Sequence, residues 1–124
     1  MAVKAFGGSG PTARERGQGE MAVLERSVLR LREGQWDHFV EHGKTWDAVA
    51  EKHGFPPATR YRYNYGTQPW GTIAWQYRWE SLAEMESRWH SFWADPAAQP
   101  LGEQWDKVFE SFHRELLFTI AEFE

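Results

Sequence analysis

The sequence contains no cysteine. Disulfides, thiolate nucleophiles and cysteine-ligated metals are therefore excluded. No apolar run is long enough to span a bilayer, and the first residues carry no apolar segment of the secretory kind. A basic excess is also missing. Fourteen Lys and Arg stand against 18 Asp and Glu, for a net charge of −4, which lacks the electrostatic footprint of a nucleic-acid binder. No serine sits in a nucleophile elbow. The glycine run Gly7-Gly8-Ser9-Gly10 follows no strand, so it reads as linker and not as a phosphate cradle. The expectation is a cytoplasmic protein with no nucleic-acid partner and no membrane partner.

What the chain has in abundance is rings. Aromatic residues make up 16% of 124 residues, with 8 Trp, 8 Phe and 4 Tyr. The length suits one domain. Residues 1–20 are rich in glycine and poor in large apolar groups, so they read as a disordered tail. Residues 21–124 read as the single folded domain. Met21-Ala22-Val23 repeats the opening Met1-Ala2-Val3, which also fits a start at Met21.

Residues 22–32 alternate and are β-branched in part, which predicts a first strand. The stretch from Gln35 to Lys52 carries Trp36, Phe39, Val40, Gly43, Trp46 and Ala50 at spacings of three and four. It predicts a helix, with Asp47 the charged intruder on its apolar face and Gly43 a point of close approach to the sheet. Gly54 ends it, and Pro56-Pro57 prevent continuation. Thr59–Glu80 predicts a hairpin. Tyr61, Tyr63 and Tyr65 alternate with Arg60, Arg62 and Asn64, and then Ile73, Trp75, Tyr77 and Trp79 alternate with Ala74, Gln76 and Arg78. On this reading the rings share one face, and Arg60, Arg62, Gln76 and Arg78 share the other. Those arginines serve either ion pairing, for example with Glu25, or recognition of an anion.

Ser81 opens a second helix with the capping pattern S-x-x-E through Glu84. Asp95-Pro96 and Pro100 interrupt it, and a third helix is predicted over Leu101–Phe112. Glu115–Phe123 is apolar on both parities and reads as a central or interface strand. The order is βαββαβ, a ferredoxin-like α+β fold. It has a four-stranded antiparallel sheet with the first and last strands central, the helices on one face, and the second helical layer split in two. The other face needs a cover, and a second copy of the chain is the natural one.

Particular residues carry a more specific likeness. They are the turn Leu31-Arg32-Glu33-Gly34, the helix entry Gln35-Trp36-Asp37-His38-Phe39, the run Trp79-Glu80-Ser81-Leu82, and the helix end Trp93-Ala94-Asp95-Pro96. In these, residues 22–123 resemble the dimeric α+β barrel superfamily and, within it, the NIPSNAP-like group. That superfamily includes antibiotic-biosynthesis monooxygenases, haem-degrading oxygenases and isomerases. The resemblance implies a homodimer with a small-molecule pocket between sheet and helices. Its expected occupant is a small apolar or aromatic molecule.

The candidate ligand-binding residues are Trp36, Trp46, Tyr61 and Tyr63 from the first half of the domain. Trp75, Tyr77, Trp89 and Trp93 complete them. The same rings also fit a filled core. Imidazole exchanges protons near neutral pH, so His90 and His42, each flanking a buried stripe, are the candidate catalytic residues, with Tyr63 or Trp75 orienting a substrate. His53 flanks a stripe in the same way, and His113 falls in the turn before the last strand. His38 and His42 are spaced to share a metal, but no third ligand follows, so no metal is expected. No cofactor is expected either, haem on His90 being the alternative. The functional reading is a cofactor-independent monooxygenase or isomerase of an aromatic or polyketide-like substrate. The alternative is a non-catalytic, NIPSNAP-like scaffold whose rings are all core.

Overall fold

The computed structural model describes residues 21–123. The expected tail over residues 1–20 lies outside them. Strand β1 spans Val23–Leu31, helix α1 Trp36–Lys52, β2 Thr59–Arg62 and β3 Ile73–Trp79. Helix α2 spans Leu82–Ala94 and α3 Gln99–Val108, with a 3-10 turn over Pro96–Ala98 between them. Strand β4 runs Phe109–Phe118, and a last 3-10 turn covers Ala121–Phe123. The four strands form one antiparallel sheet in the order β2-β3-β1-β4. This is the ferredoxin-like α+β fold with its second helical layer divided.

The central strands are β1 and β3, not the first and the last. Each helical crossover skips one strand position, so β4 docks outside β1 and becomes an edge. Strand β4 also begins six residues earlier than the sequence suggests. Leu31 pairs with Phe109 and Leu29 with Phe112, because the register shifts between Arg30 and Leu31. A bulge of this kind adds one residue to a strand. It puts Phe109 and Phe112 on the same face at a spacing of three, which imitates a helix. His113 is accordingly mid-strand, opposite Val28.

Register also corrects the hairpin. Arg60 lies opposite Trp75, Arg62 opposite Ile73, and Tyr61 opposite Ala74. Cross-strand partners share a face, so the arginines of β2 stand on the helix-covered side with the rings of β3. Tyr61 stands on the bare side. Arg60 lies 4.1 Å from the Trp75 ring and Arg62 4.3 Å from Trp36, and the cations roof the aromatic layer. Arg60 also grips Asp47 through both terminal nitrogens, at 2.9 and 2.8 Å. That accounts for the charged intruder on α1. Gly43 makes the room: a Cβ there would sit 3.5 Å from the Arg60 guanidinium.

The core lies between the helices and the face carrying Val23, Leu29, Ile73, Trp75, Tyr77 and Trp79. Phe55, Phe92 and Trp46 fill its middle. Gly54, at φ 78°, stops α1 as expected. The Ser81 hydroxyl accepts from the Glu84 amide, and Glu84 reaches back to the amide of Glu80, one residue beyond the cap. No helix among the described residues is long and apolar enough to cross a membrane.

Candidate functional site

A cavity of about 1020 Å³ opens between the sheet and helices α2 and α3. Its back wall is Trp46, Trp75 and Tyr77, and Trp89, Trp93 and Trp105 flank it. On β4, Phe112, Arg114 and Leu116 form the open side. These last residues face inward because the bulge has reset the parity of the strand.

Glu25 lies on the cavity surface and is 2% exposed. Its carboxylate accepts from the indole N–H of Trp79 at 2.8 Å and of Trp89 at 3.0 Å, and it pairs with Arg114 at 3.2 Å. A buried carboxylate needs such partners. The acid therefore fixes two tryptophans, one in the core and one on the wall. The alternation Val23, Glu25, Ser27, Leu29 was the signal for it: a carboxylate on the inward parity of a half-buried strand.

Three polar atoms of the back wall have no hydrogen-bond partner: the indole nitrogens of Trp46 and Trp75 and the hydroxyl of Tyr77. All three side chains are 4% exposed. Both indole N–H groups interact with the Tyr77 oxygen, short of full hydrogen-bond geometry. Burial, reinforced by the Asp47 carboxylate, pushes the Tyr77 phenol well above its ordinary range, so it remains a protonated donor.

Of the sequence-derived ligand residues, Trp46, Trp75, Tyr77, Trp89 and Trp93 meet at this cavity. Trp36, Tyr61 and Tyr63 are not in its lining. Trp105, Ser27 and Arg114 also line the cavity, and none of them is among the sequence-derived ligand residues. The histidines separate. His90 is exposed on α2 and stands on the cavity wall. His42 is not on the flank of α1 but buried, 4% exposed, against Trp46, Trp105 and Phe109. Its Nε2–H donates to the Leu101 carbonyl at 3.1 Å. Burial holds its pKa below the ordinary imidazole value, and the ring sits outside the cavity lining. His38 is exposed and bonded to Gln35. Among the described residues, no three His, Asp or Glu side chains gather in a way that could hold a metal ion.

His53 joins a second cluster. Its Nε2 meets Asp95 at 2.7 Å and its Nδ1 meets the Ser91 hydroxyl at 2.6 Å. A Ser-His-Asp chain activates nucleophiles in hydrolases. None of these three residues lines the large cavity or the smaller one beside Phe55. The trio joins the end of α1 to the end of α2, and Asp95 also caps the 3-10 turn through the Ala97 amide. The His53 bond, then Lys52, holds the Asp95 carboxyl below its usual 3.8. A depressed carboxylate pKa stabilises the fold above the unfolded value, and that stability is lost as pH falls toward the folded value. Urea midpoints measured from pH 5 down to 2 are expected to fall in the wild type. In Asp95→Asn this component is absent, and the profile is flatter.

No family model and no curated protein sequence matches the chain. Solved structures do. A NIPSNAP family protein from Agrobacterium tumefaciens aligns with a TM-score of 0.68 at 16% identity, over 82% of this chain and 88% of that one. An uncharacterized NIPSNAP-like domain protein from Burkholderia xenovorans gives 0.66 at 13% identity, over 82% and 88%. SnoaB, a cofactor-independent oxygenase from Streptomyces nogalater, gives 0.61 at 13% identity, over 81% and 94%. This chain therefore shares the α+β fold of these NIPSNAP-type proteins and of SnoaB. Identities this low carry architecture and not chemistry.

Proposed function

We propose that the protein binds a small, largely apolar aromatic molecule in the cavity between its sheet and helices. It acts on that molecule as a cofactor-independent oxygenase or isomerase, with a polyketide-like compound as the substrate class. The observation that carries this reading is the cavity itself. Its walls are rings, and one histidine, His90, stands on them. A scaffold with a purely aromatic core would leave no such space. Apolar walls strip water from a substrate, and a rim imidazole can take a proton from a carbon next to a carbonyl, a step that an isomerase and such an oxygenase share. His42 belongs to the support of Trp46 and Trp105, not to the wall. SnoaB has the same architecture and is a cofactor-independent oxygenase, so the fold is able to house this chemistry.

The reading includes a homodimer. The bare sheet face offers Leu24, Tyr61 and Leu117 among charged neighbours, and β4 is an exposed edge. A second copy laid on this face would cover both. Native mass spectrometry of protein from its own host is expected to show a dimer with a discrete extra mass, haem being identifiable if it is the occupant. Once that compound is in hand, His90→Ala is expected to slow turnover by about 100-fold. Unchanged turnover removes His90 from the mechanism. A ligand-free dimer that no aromatic compound stabilises returns the protein to the scaffold reading.

A further inference from the structure

We propose that the cavity selects an aromatic ligand bearing a cationic amine, held by cation–π contact with the tryptophans of α2 and α3 and by the carboxylates of Glu86 and Asp106. This rests on the cavity reading above and specifies the class of molecule that the cavity takes.

Aromatic rings attract organic cations through their electron-rich faces, and indole does so best among the side chains. Trp93 is 43% exposed and Phe112 50%, and both line the cavity together with the half-buried Trp89 and Trp105. These four rings offer surface that a ligand can touch. Trp89 and Trp93 lie nearly parallel with centres 6.3 Å apart, and Trp105 meets Phe112 edge-on at 5.3 Å. The two pairs come from different elements: α2 supplies one, and α3 with β4 the other. A ligand entering by the open side therefore meets rings from the helices and from the sheet.

Charge gives the sign of the ligand. The ionisable groups in the lining are Glu25, Glu86, His90, Asp106 and Arg114. Glu25 and Arg114 are paired with each other. Glu86 and Asp106 are exposed, and among the described residues neither carboxylate has an ion-pair partner. They stand on the two helices that flank the cavity, one on each. Three carboxylates against one guanidinium make the lining acidic, in a chain of net charge −4, and such a field gathers cations. A hard metal ion fits poorly. It needs several converging oxygen ligands, and among the described residues no three His, Asp or Glu side chains gather in a way that could hold one. An organic ammonium needs ring faces and a carboxylate nearby, and the cavity has both.

Three compounds of similar shape test this by ligand-observed NMR titration: meta-hydroxyphenyltrimethylammonium, its neutral carbon isostere meta-tert-butylphenol, and meta-hydroxybenzenesulfonate. The ammonium is expected to bind about tenfold tighter than the butylphenol, although water solvates it better, and the sulfonate is expected to bind weakest. A Glu86→Gln, Asp106→Asn double variant is expected to lose about fivefold on the ammonium and to leave the butylphenol unchanged. Both carboxylates are exposed and unpaired, so this variant is expected to melt within about 3 °C of the wild type. Trp93→Leu keeps an apolar side chain and is expected to bring the ammonium to within about twofold of the butylphenol. Equal binding of the ammonium and the butylphenol, or tighter binding of the butylphenol, overturns the cation preference but keeps the cavity reading. Tightest binding of the sulfonate overturns it in favour of an anion held by Arg114. A double variant that binds the ammonium as the wild type does overturns the role of Glu86 and Asp106. Binding of none of the three compounds overturns this inference and the cavity reading together.

Discussion

Glu25→Ala is expected to destabilise the fold by about 3 kcal/mol, although it removes only a short polar side chain. The cost comes from what stays behind. Trp79 is 1% exposed and would keep an indole N–H with no acceptor, and Trp89 would lose both carboxylate oxygens. Arg114 is 46% exposed, so water relieves its share. Glu25→Gln retains an acceptor oxygen for an indole and is expected to cost about half as much. Urea midpoints of the two variants check the ordering. If alanine and glutamine prove equal, the loss is one of charge. If neither is destabilising, the tryptophans are held by packing alone.

Trp46→Ala is the second large effect, at about 3–5 kcal/mol. Its ring is 4% exposed and lies within 4.8–6.0 Å of the ring centres of Phe92, Trp75, Trp105, Trp93 and Trp89. Few side chains could relax into the space, because its neighbours are rigid rings held by one another. For a domain of this size each kcal/mol is worth about 4–8 °C in melting temperature, so a fall of about 15 °C or more is expected in a calorimetric scan. Trp46→Phe fills most of the volume and is expected to cost about 1–2 kcal/mol. A small loss in the alanine variant would mean that the wall collapses inward, and the cavity would then bind less.

The order of elements was legible because each signal was local. Alternation marked β1 and the hairpin, Ser81 and Glu84 marked the start of α2, and Gly54 marked the end of α1. Sheet neighbours were not local. Placing β4 at an edge depends on how two crossovers wind, and the bulge opposite Arg30 turned a strand into a three-residue rhythm that passes for a helix. Residues of β2 went to the wrong face for the same reason: alternation separates two faces but does not say which one faces the helices. That is set by the pairing of Arg60 with Trp75. In the site, five of eight ring candidates met because α2 and β3 each carry several on one face. Trp36, Tyr61 and Tyr63 missed it because their identity as rings said nothing of register. His42 looked like a flank residue by helical angle alone. It is buried because α3 packs across that flank and offers the Leu101 carbonyl as partner.

The crowding of Trp46, Trp75, Trp89, Trp93 and Trp105 has an optical consequence. Their ring centres lie within about 6.3 Å of at least one neighbour in the group. At such spacing excited-state energy passes between indoles faster than any one of them emits. Excitation absorbed by one of the five is therefore passed to the others, and an absorber entering beside any member is expected to quench the group. Trp70, 71% exposed on the hairpin loop, stands outside the group. A molecule that absorbs at the indole emission and enters the proposed site is expected to quench this group and to leave the emission of Trp70 unchanged.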